Sequence, residues 1–556
     1  MTKDRLVKEM VLRAWEQASK EGKIRSRPDP EKLVVEIPKE TVQADFASTV
    51  AMMLASAERR SPMEIARIFG SYLEQDPALE RIELAGAGYI NIILRPDEWR
   101  RVLLDVEAKG RGFGRVEIGK GRRVQVEFVS ANPTGPLHVG HGRWAAVGNA
   151  LANLLQSAGY GVEREYYNND AGRQVKLLGM SVYARYRQLL GLPSPDPEDG
   201  YRGAYVTELA QRMADRFGDR YRDRKPDDCL DFFTQHSLEE MTALIREDLE
   251  TFGITFDAWF NETLLFQSGS VRNTLDELQK KEFLYEKDGA LWFRSTHFGD
   301  DKDRVVRKED GEFTYLASDM AYHRDKLARG FDLLIDIWGA DHHGYTARME
   351  AAVQALGYPK TRLRIMIGQL VKLVRNGQPV PMSKRAGEFV TLREVVGEVG
   401  KDAALFFFLM RRLDSPMEFD LELAKRQSNE NPVYYVQYAH ARLCSVLRQA
   451  EEQGIRLKDP AQVRLDRLSE PEELKLMKRL DAFPKLIEES AQDLEPHRLT
   501  FFLLDLAGIL HNYYNKHRII SPDPDLTQAR LLLVRSVKTV MANALDILGV
   551  TAPERM

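Results

Sequence analysis

One segment limits the fold more than any other part of this chain. Residues 126–143 read VEFVSANPTGPLHVGHGR, an alternating apolar run that passes through Asn, Pro and Gly into a helical pattern. Pro133, Gly135 and Pro136 favour a loop, and the apolar residues of 141–158 recur at helical spacing. A strand, a tight loop and a helix in this order are typical of a parallel sheet that binds a nucleotide at a helix N-terminus.

The chain of 556 residues divides into four stretches. Residues 1–115 mix helical and strand patterns and predict a small N-terminal α+β domain. Residues 116–395 alternate strands and helices, which predicts an α/β fold: a Rossmann-type, doubly wound parallel sheet, with insertions around 180–310. Residues 396–430 form a connector, and the helical periodicity of 431–556 predicts an all-helical bundle.

Composition excludes several classes of protein. Lys and Arg number 80 against 84 Asp and Glu, so the chain is no polycation, although a local basic surface remains open. The arginines of 212–225 are interleaved with aspartates and fit either a solvated face or an RNA contact. Cys229 and Cys444 are too few for a disulfide framework. With no apolar run near about 20 residues, we expect a cytoplasmic protein without a membrane span.

The histidines of the loop point to phosphate chemistry. The loop comprises Ala131, Asn132, Pro133, Thr134, Gly135, Pro136, Leu137, His138, Val139, Gly140 and His141. A helix N-terminus offers unpaired N–H groups to triphosphate oxygens, and Gly140 lets a purine or ribose approach the backbone. His138 and His141 can both donate to one phosphate in the transition state. The alternative is a helix cap with one surface and one core histidine.

A second segment presents a lysine about 240 residues later. The run PMSKRAG contains Met382, Ser383, Lys384 and Arg385. A lysine on such a loop can hold the β- and γ-phosphates and follow pyrophosphate as it leaves. Taken alone, the run is a solvated basic loop, and it gains weight from sharing the sheet domain with the histidines.

A third segment, WGADHHGY, follows an apolar strand and precedes a helix, which is where doubly wound sheets bind nucleotides. Asp341 is a candidate for the ribose hydroxyls, and His342 or His343 for adenine or ribose. Three adjacent Asp and His side chains also suggest a metal. Since no further ligand group lies nearby in sequence, we expect no protein-bound metal, zinc included, and expect Mg²⁺ to arrive with ATP.

Eight ordered segments carry a family resemblance through essentially the whole chain. They are VEFVSANPTGPLHVGHGR, REYYNNDAGRQ, YLASDMAYHRDK, WGADHHGY, MSKRAGEFVTL, DSPMEFDLELA, NPVYYVQYAHAR and LGVTAPERM. The first and fifth resemble the HIGH and KMSKS signatures of class I aminoacyl-tRNA synthetases. Together the eight resemble the arginyl-tRNA synthetases of bacterial type.

The resemblance implies an N-terminal domain at the tRNA elbow, a Rossmann catalytic domain and a helical anticodon-binding domain. It implies that ATP activates L-arginine and that the arginyl group passes to the 3′ end of tRNA(Arg), in a monomer without a membrane or DNA partner. It also implies that activation requires bound tRNA. One departure is visible: Pro381 replaces the first lysine of KMSKS and Arg385 the last serine, while Lys384 is kept. Which cation contacts which phosphate stays open.

The resemblance assigns Glu127, Asn132, Tyr315 and Asp319 to the arginine site. A guanidinium needs anionic, planar partners, and helical spacing puts Tyr315 and Asp319 on one face. The alternatives are a surface salt bridge for Glu127, a helix-start charge for Asp319 and core packing for Tyr315. Weaker candidates, which fit a structural or rim position equally well, are Asp170, Gln174 and Gln369.

Contacts with tRNA are predicted in both terminal regions. The candidates for stacking on anticodon bases, with core packing as the alternative, are Tyr434, Tyr435, Tyr438 and His440. Tyr89 and Asn91 are candidates for a tRNA-loop contact, although both fit an ordinary strand.

Three rival functions remain at this point. A class I synthetase for a small apolar amino acid would not need Glu127 and Asp319. A simple nucleotidyltransferase would use the histidines but has no need of the helical tail. A non-catalytic tRNA-binding paralogue would be favoured by loss of His138, His141 or Lys384, and all three are present.

Overall fold

The computed structural model describes residues 2–39, 42–380 and 390–556. Its N-terminal region is the predicted α+β domain, a four-stranded antiparallel sheet of order β1-β2-β4-β3 covered by helices. The strands are β1 (Val35–Glu36), β2 (Phe46–Ser48), β3 (Leu79–Ala85) and β4 (Tyr89–Leu94). The helices are α1 (Lys3–Lys20), α2 (Val50–Glu58), α3 (Pro62–Leu73) and α4 (Pro96–Lys109).

The central region is built on a five-stranded parallel sheet, which confirms the predicted fold class. Its order is β12-β11-β5-β6-β7. The strands are β5 (Arg123–Glu127), β6 (Gly161–Asn168), β7 (Ala258–Asn261), β11 (Leu333–Gly339) and β12 (Leu363–Gly368). From β5 the next strands, β6 and β7, are added on one side, whereas β11 and β12 are added on the other side. The strand order therefore switches between β5 and β11, and the crevice beyond the carboxyl ends of these two parallel strands is the expected nucleotide site.

Helices cover both faces of this sheet, and the chain between β7 and β11 also forms a separate small antiparallel sheet of order β10-β9-β8. The helices are α5 (Val139–Ser157), α6 (Arg173–Leu189), α7 (Ala204–Phe217), α8 (Pro226–Thr251), α9 (Thr263–Gln267), α10 (Ser270–Lys280), α11 (Tyr315–Ala328) and α12 (Thr346–Ala355). The added strands are β8 (Leu284–Lys287), β9 (Ala290–Phe293) and β10 (Arg304–Arg307).

Two predicted segments differ from the structure. The range 180–310, predicted as inserted material, also supplies β7, an edge strand of the main sheet. The run RLRIMIGQLVKLV, whose continuous apolar pattern predicts a single strand, is divided between two sheets. It ends β12 at Gly368, where the Trp144 indole leaves no room for a side chain, and Gln369 N–H then donates to Leu413 O (3.0 Å). Hydrophobic pattern alone cannot locate such a break, because both halves are equally apolar.

The remaining chain forms a small sheet and the predicted helical bundle. The sheet has order β14-β13-β15 and consists of β13 (Val371–Arg375), β14 (Gln378–Pro379) and β15 (Met417–Asp420). Short helices flank it: α13 (Leu392–Val399), α14 (Lys401–Phe408) and α15 (Leu421–Lys425). The bundle consists of α16 (Pro432–Glu452), α17 (Pro471–Asp493), α18 (Arg498–Lys516) and α19 (Pro524–Leu548).

Helix α5 lies at the centre of the molecule. Its inner face packs on the sheet through Gly148, where any Cβ would collide with the Phe128 ring. Its outer face carries α17 and α19, and Asn153 Nδ2 donates to Ile547 O of α19 (3.0 Å). The helix that begins at the histidines is therefore held between the sheet and the bundle. Throughout the described ranges, each helix is too short or too polar to traverse a lipid bilayer.

Replacing Gly148 with alanine should destabilise the protein, because the added methyl group meets a ring in a closely packed layer. We expect a loss of about 1–3 kcal/mol, measured as a lower midpoint of thermal unfolding. Gly397→Ala is the matched control, because a Cβ at this helical glycine meets nothing within 4 Å. That variant should be unchanged or slightly more stable. Equal midpoints for both alanine variants would contradict the packing argument.

Candidate active site

His138 caps the helix that it precedes. It lies at the N-cap of α5, and its Nδ1 accepts hydrogen bonds from Gly140 N (3.1 Å) and His141 N (3.4 Å). His141 Nδ1 in turn accepts from His138 N (3.2 Å), which completes a reciprocal cap. The N–H groups of Gly140 and His141, predicted to be unpaired, are thus satisfied by a side chain, because an N-cap imidazole reaches them.

The caps determine how both imidazoles carry their proton. A ring nitrogen that accepts a hydrogen bond holds no proton, so in neutral His138 and His141 the proton sits on Nε2. The rings stack with centroids 3.6 Å apart, and both meet Trp144 edge-on. Gly140 is required here, since a Cβ would lie 2.9 Å from His138 Cε1. Two parallel imidazoles thus present Nε2–H donors side by side.

The predicted lysine loop, including Met382, Ser383, Lys384 and Arg385, falls outside the described residues. The segment that follows it is anchored to the histidine loop. Leu392 N donates to Leu137 O (2.7 Å) and Val139 N to Val390 O (3.4 Å), which forms an antiparallel bridge between His138 and Thr391. Residues 390–392, which follow the lysine loop in sequence, therefore lie next to the histidines. A phosphate site formed by both segments requires this proximity.

Glu127 takes part in a row of three buried carboxylates. Strand register sets Asp336 of β11 beside Glu127, and Glu127 beside Glu165 of β6. Lys326 of α11 is fully buried and binds both Glu127 and Asp336 Oδ1, the latter at 2.9 Å. Arg329, the C-cap residue of α11, binds both oxygens of Glu165 (2.5 and 2.9 Å).

The buried charges of this row perturb the pKa values of Glu127 and Asp336. Burial raises the pKa of Glu127, and the Lys326 ammonium opposes that rise. The neighbouring cations hold the pKa of Asp336 below its usual range against the effect of burial. Glu127, a predicted arginine ligand, pairs with Lys326, and its second oxygen accepts from Ser130 Oγ (2.9 Å). Its contribution to the site is to fix the loop and α11 relative to each other.

Asp319 and Glu262 form an acidic pocket beside this row. Asp319 of α11 accepts a hydrogen bond from Tyr345 Oη (2.6 Å), and Glu262 follows β7 with 5% of its surface exposed. Burial raises the pKa of both carboxyls, and the Asp319 charge raises that of Glu262 further. Neither acid has a cation within ion-pair distance among the described residues. Such a pocket suits a planar cation.

Sequence reasoning missed Glu262 and Tyr167. Tyr167 Oη is buried near Glu262 and Asp319 and makes no hydrogen bond of good geometry within the described residues. Glu262 directly follows Asn261, the last residue of the aromatic strand β7, and an acid at the carboxyl end of a strand is the signal that the sequence offers. The pattern of residues 180–310 predicts inserted material, so the sequence does not identify β7 as a strand of the main sheet or Glu262 as the residue at its end.

The other predicted ligands lie around these two centres. Tyr315 starts α11 with 69% of its surface exposed, one helical turn before Asp319. Asn132 Nδ2 donates to Gln174 Oε1 (2.7 Å), and Asp170 accepts from Thr263 N (2.9 Å) and Oγ1 (2.6 Å).

The segment after β11 and the residue after β12 lie at the same edge of the sheet. Asp341, His342 and His343 are exposed in the 3₁₀ turn Ala340–Tyr345. Gln369 is half-buried and directly follows the last residue of β12.

The candidate tRNA contacts separate by burial. Tyr434 and Tyr438 are half-buried and stacked (centroids 6.1 Å apart), and Tyr438 also stacks on His511. Tyr435 is half-buried and packs against His511. His440, in contrast, is buried at 2% and its Nδ1–H donates to Pro553 O (2.8 Å), so this ring cannot stack on a base.

The two candidate tRNA contacts of the N-terminal sheet, Tyr89 and Asn91, also differ in exposure. Tyr89 is 38% exposed, whereas Asn91 is 6% exposed. Asn91 lies inside β4, between β2 and β3, and is not accessible to tRNA.

Lys326→Met should destabilise the protein strongly, because Asp336 and Glu127 would remain buried without their cation. Breaking a buried pair in this way costs about 3–5 kcal/mol, to be measured as the midpoint of thermal unfolding. Lys308→Met is the control: its ion pair with Glu312 is exposed, and the midpoint should not move. Similar midpoints for both variants would show that the carboxylate row does not depend on Lys326.

Comparison with known proteins agrees over the whole chain. Residues 6–94 match the arginyl-tRNA synthetase N-terminal domain, residues 108–408 the class I (R) tRNA synthetase catalytic domain, and residues 436–556 the DALR anticodon-binding domain. The arginine–tRNA ligase of Citrifermentans bemidjiense is 50% identical, covering 98% of this chain and 99% of that protein. The ligase of Bacillus subtilis is 47% identical, covering 94% of each chain.

The fold agrees as well. The arginyl-tRNA synthetase structure of Thermus thermophilus, 22% identical, superposes with a TM-score of 0.75 over 99% of this chain and 100% of that chain. The paired histidines, the acidic pocket and the helical bundle thus occur in a chain whose three parts all match one family. The chain belongs to the arginyl-tRNA synthetase family and is an arginine–tRNA ligase that uses ATP.

Proposed function

We propose that the acidic pocket binds the guanidinium of arginine through Glu262 and Asp319. The observation that carries this proposal is the pair of carboxyls itself: among the described residues neither has a cation within ion-pair distance, burial raises the pKa of both, and the Asp319 charge raises the pKa of Glu262 further. A guanidinium inserted there would pair with both and restore their ionisation. Tyr167 Oη, which makes no hydrogen bond of good geometry within the described residues, would accept one further N–H.

The remaining arginine contacts follow from their positions around the pocket. Tyr315, exposed at the start of α11, would close over the side chain, and Asn132 would meet the backbone groups of the substrate. Gln369 is a rim residue in this proposal. Glu127 acts indirectly, because its charge is engaged by Lys326.

The histidines would act on ATP. His138 and His141 would donate from Nε2 to phosphate oxygens as the arginine carboxylate attacks the α-phosphorus and pyrophosphate leaves. Gly140 lies beneath the nucleoside in this arrangement, with Asp341, His342 and His343 at the ribose and adenine. Lys384, with Arg385 beside it, would bind the leaving pyrophosphate, supported by Met382 and Ser383 and by the anchor of residues 390–392 at His138. Mg²⁺ enters as the ATP complex.

The helical bundle and the N-terminal sheet would contact tRNA(Arg). Tyr434 and Tyr438 present half-buried stacked rings, with Arg442 placed over Tyr438 (5.4 Å) for cation–π contact with a base. Tyr435 would support this face from beside His511, and Tyr89 would contact the tRNA from the edge of the N-terminal sheet.

We also infer a monomer that works in the cytoplasm. One chain supplies the candidate contacts for all three substrates, so the site needs no second copy. The two cysteines, Cys229 and Cys444, are free and buried, as suits a reducing compartment.

Glu262→Gln and Asp319→Asn should each raise the KM for arginine by about 10–100-fold, because each removes a charge-assisted partner of the guanidinium. The KM for ATP should change by less than about twofold. The measurement is arginine-dependent ATP–pyrophosphate exchange with tRNA present. Equal increases in both KM values would remove these acids from the arginine pocket.

The same assay has a pH signature. Arginine binding requires the ionised acids, so it releases protons and lowers their pKa. As the pH falls through the raised pKa values of Glu262 and Asp319, the KM for arginine should rise in the wild type. This rise should be reduced in Glu262→Gln.

His138→Asn separates capping from chemistry. Asparagine is a good N-cap, so α5 should begin as before and thermal unfolding should be unchanged. The exchange kcat should fall by about 100-fold or more, because the shorter amide does not reach the phosphate. His138→Ala loses both functions and should also unfold at lower temperature. An asparagine variant with full activity would show that His138 is only a cap.

A further inference from the structure

Arg143 is a fully buried arginine in the first turns of the histidine helix. Its exposed fraction is 0%, and it lies two residues after His141. Nη1 donates to Gln369 O (3.0 Å) and Nη2 to Arg412 O (2.6 Å). A single guanidinium thus connects α5 to two other segments of backbone, one just after β12 and one just after α14.

Burying the charged side chain of Arg143 costs free energy of folding. No carboxylate lies within ion-pair distance of it among the described residues, and burial lowers its pKa to about 10, which leaves it protonated at neutral pH. A buried charge without an ionic partner is destabilising relative to an apolar side chain of similar volume. What the guanidinium provides in return is geometry, because its planar group of N–H donors orients two carbonyl groups at once.

Both carbonyls belong to one connected unit. Gln369 N donates to Leu413 O (3.0 Å), so the segment after β12 and the segment of residues 409–414 hold each other. The second segment also touches the helical bundle. Arg412 Nη1 pairs with Glu495 (3.0 Å) in the turn between α17 and α18, and Thr500 of α18 donates to Leu409 O (3.4 Å).

A cavity of about 310 Å³ lies at this contact, lined by β12, by residues 409–414 and by the α17–α18 turn. The two domains are therefore not closely packed here. Arg412 pairs with Glu495 across this contact and with Asp414 on its own segment. Glu495 and Asp493 both line the cavity and both pair with Arg498, but of these two acids it is Glu495 that also binds Arg412. A loosely packed contact bridged by few bonds allows small shifts of one domain against the other.

We propose that Arg143 is a positioning residue for adenylate formation, and that the path Arg143–Arg412–Glu495 transmits the state of the helical bundle to the first turn of α5. A shift of the α17–α18 turn moves Arg412, whose carbonyl is bound to Arg143, and Arg143 moves the turn that carries His138 and His141. Binding of tRNA to the bundle thereby adjusts the two imidazoles. This inference rests on the proposed role of the histidines at the phosphates.

The test compares Arg143→Lys, Glu495→Gln and the matched control Asp493→Asn in the full-length enzyme with tRNA. Lysine keeps the charge but cannot bind two carbonyls as a fork. We expect the exchange kcat of Arg143→Lys to fall by about tenfold, and that of Glu495→Gln by about threefold or more. The KM values for arginine and ATP should stay within about twofold in both, and Asp493→Asn should match the wild type.

A double variant tests the path itself. If Arg412 and Glu495 act through each other, Arg412→Gln combined with Glu495→Gln should lower kcat no more than the stronger single variant. Additive losses would overturn the path, as would a wild-type kcat in Glu495→Gln or an equal loss in Asp493→Asn. A wild-type kcat in Arg143→Lys would overturn its positioning role.

The outcome is distinguishable from failure of the proposed function. If His138→Asn lowers kcat while Arg143→Lys does not, the histidines act on the phosphates and only the path is wrong. If Arg143→Lys raises both KM values and lowers the thermal midpoint without a selective loss of kcat, Arg143 is purely structural.

Discussion

The active site depends on a row of three buried carboxylates that crosses the parallel sheet. Glu127, Asp336 and Glu165 lie side by side on neighbouring strands, and like charges at this spacing repel each other. Two cations at the C-terminal end of α11 make the row possible: Lys326 binds the first two carboxylates, and the C-cap residue Arg329 binds the third. These ion pairs fix the rotation of α11 about its axis and its position on the sheet. Asp319, on the same helix, is thereby placed near Glu262 at the carboxyl end of β7.

Helix α5 is fixed by packing rather than by charge. Glycines let neighbours approach it: Phe128 at Gly148, and Leu392 at Gly142, where a Cβ would lie 2.7 Å from the leucine. Trp144 lies over the paired ends of β11 and β12. Because α5 follows His138 and carries His141, while α11 carries Asp319, two different interactions hold the proposed ATP side and the proposed arginine side of the crevice. A substitution can therefore disturb one side and spare the other.

Much of the fold was predictable from the sequence. The strand–loop–helix at residues 126–143, the alternating catalytic region and the helical tail each follow from local periodicity and turn residues. The predictions failed where tertiary contacts decide. The strand β7 was hidden in a polar range, and the run after Leu363 divides between two sheets because Trp144 fills the space at Gly368. His440 and Asn91 carry suitable groups for tRNA, yet both are buried.

By itself, the sequence determined the chemistry available to this protein: paired histidines at a helix start, a lysine loop, acids near strand ends and aromatic residues on a helical tail. Spacing along a helix or strand is a local property, so these groups can be placed on their elements without a structure. Only the tertiary structure decided which acid is engaged by a cation. Glu127 and Asp319 look equivalent in sequence, but Glu127 pairs with Lys326, whereas Asp319 and Glu262 make no ion pair within residues 2–39, 42–380 and 390–556. The physical reason is that pairing depends on distances between segments far apart in the chain.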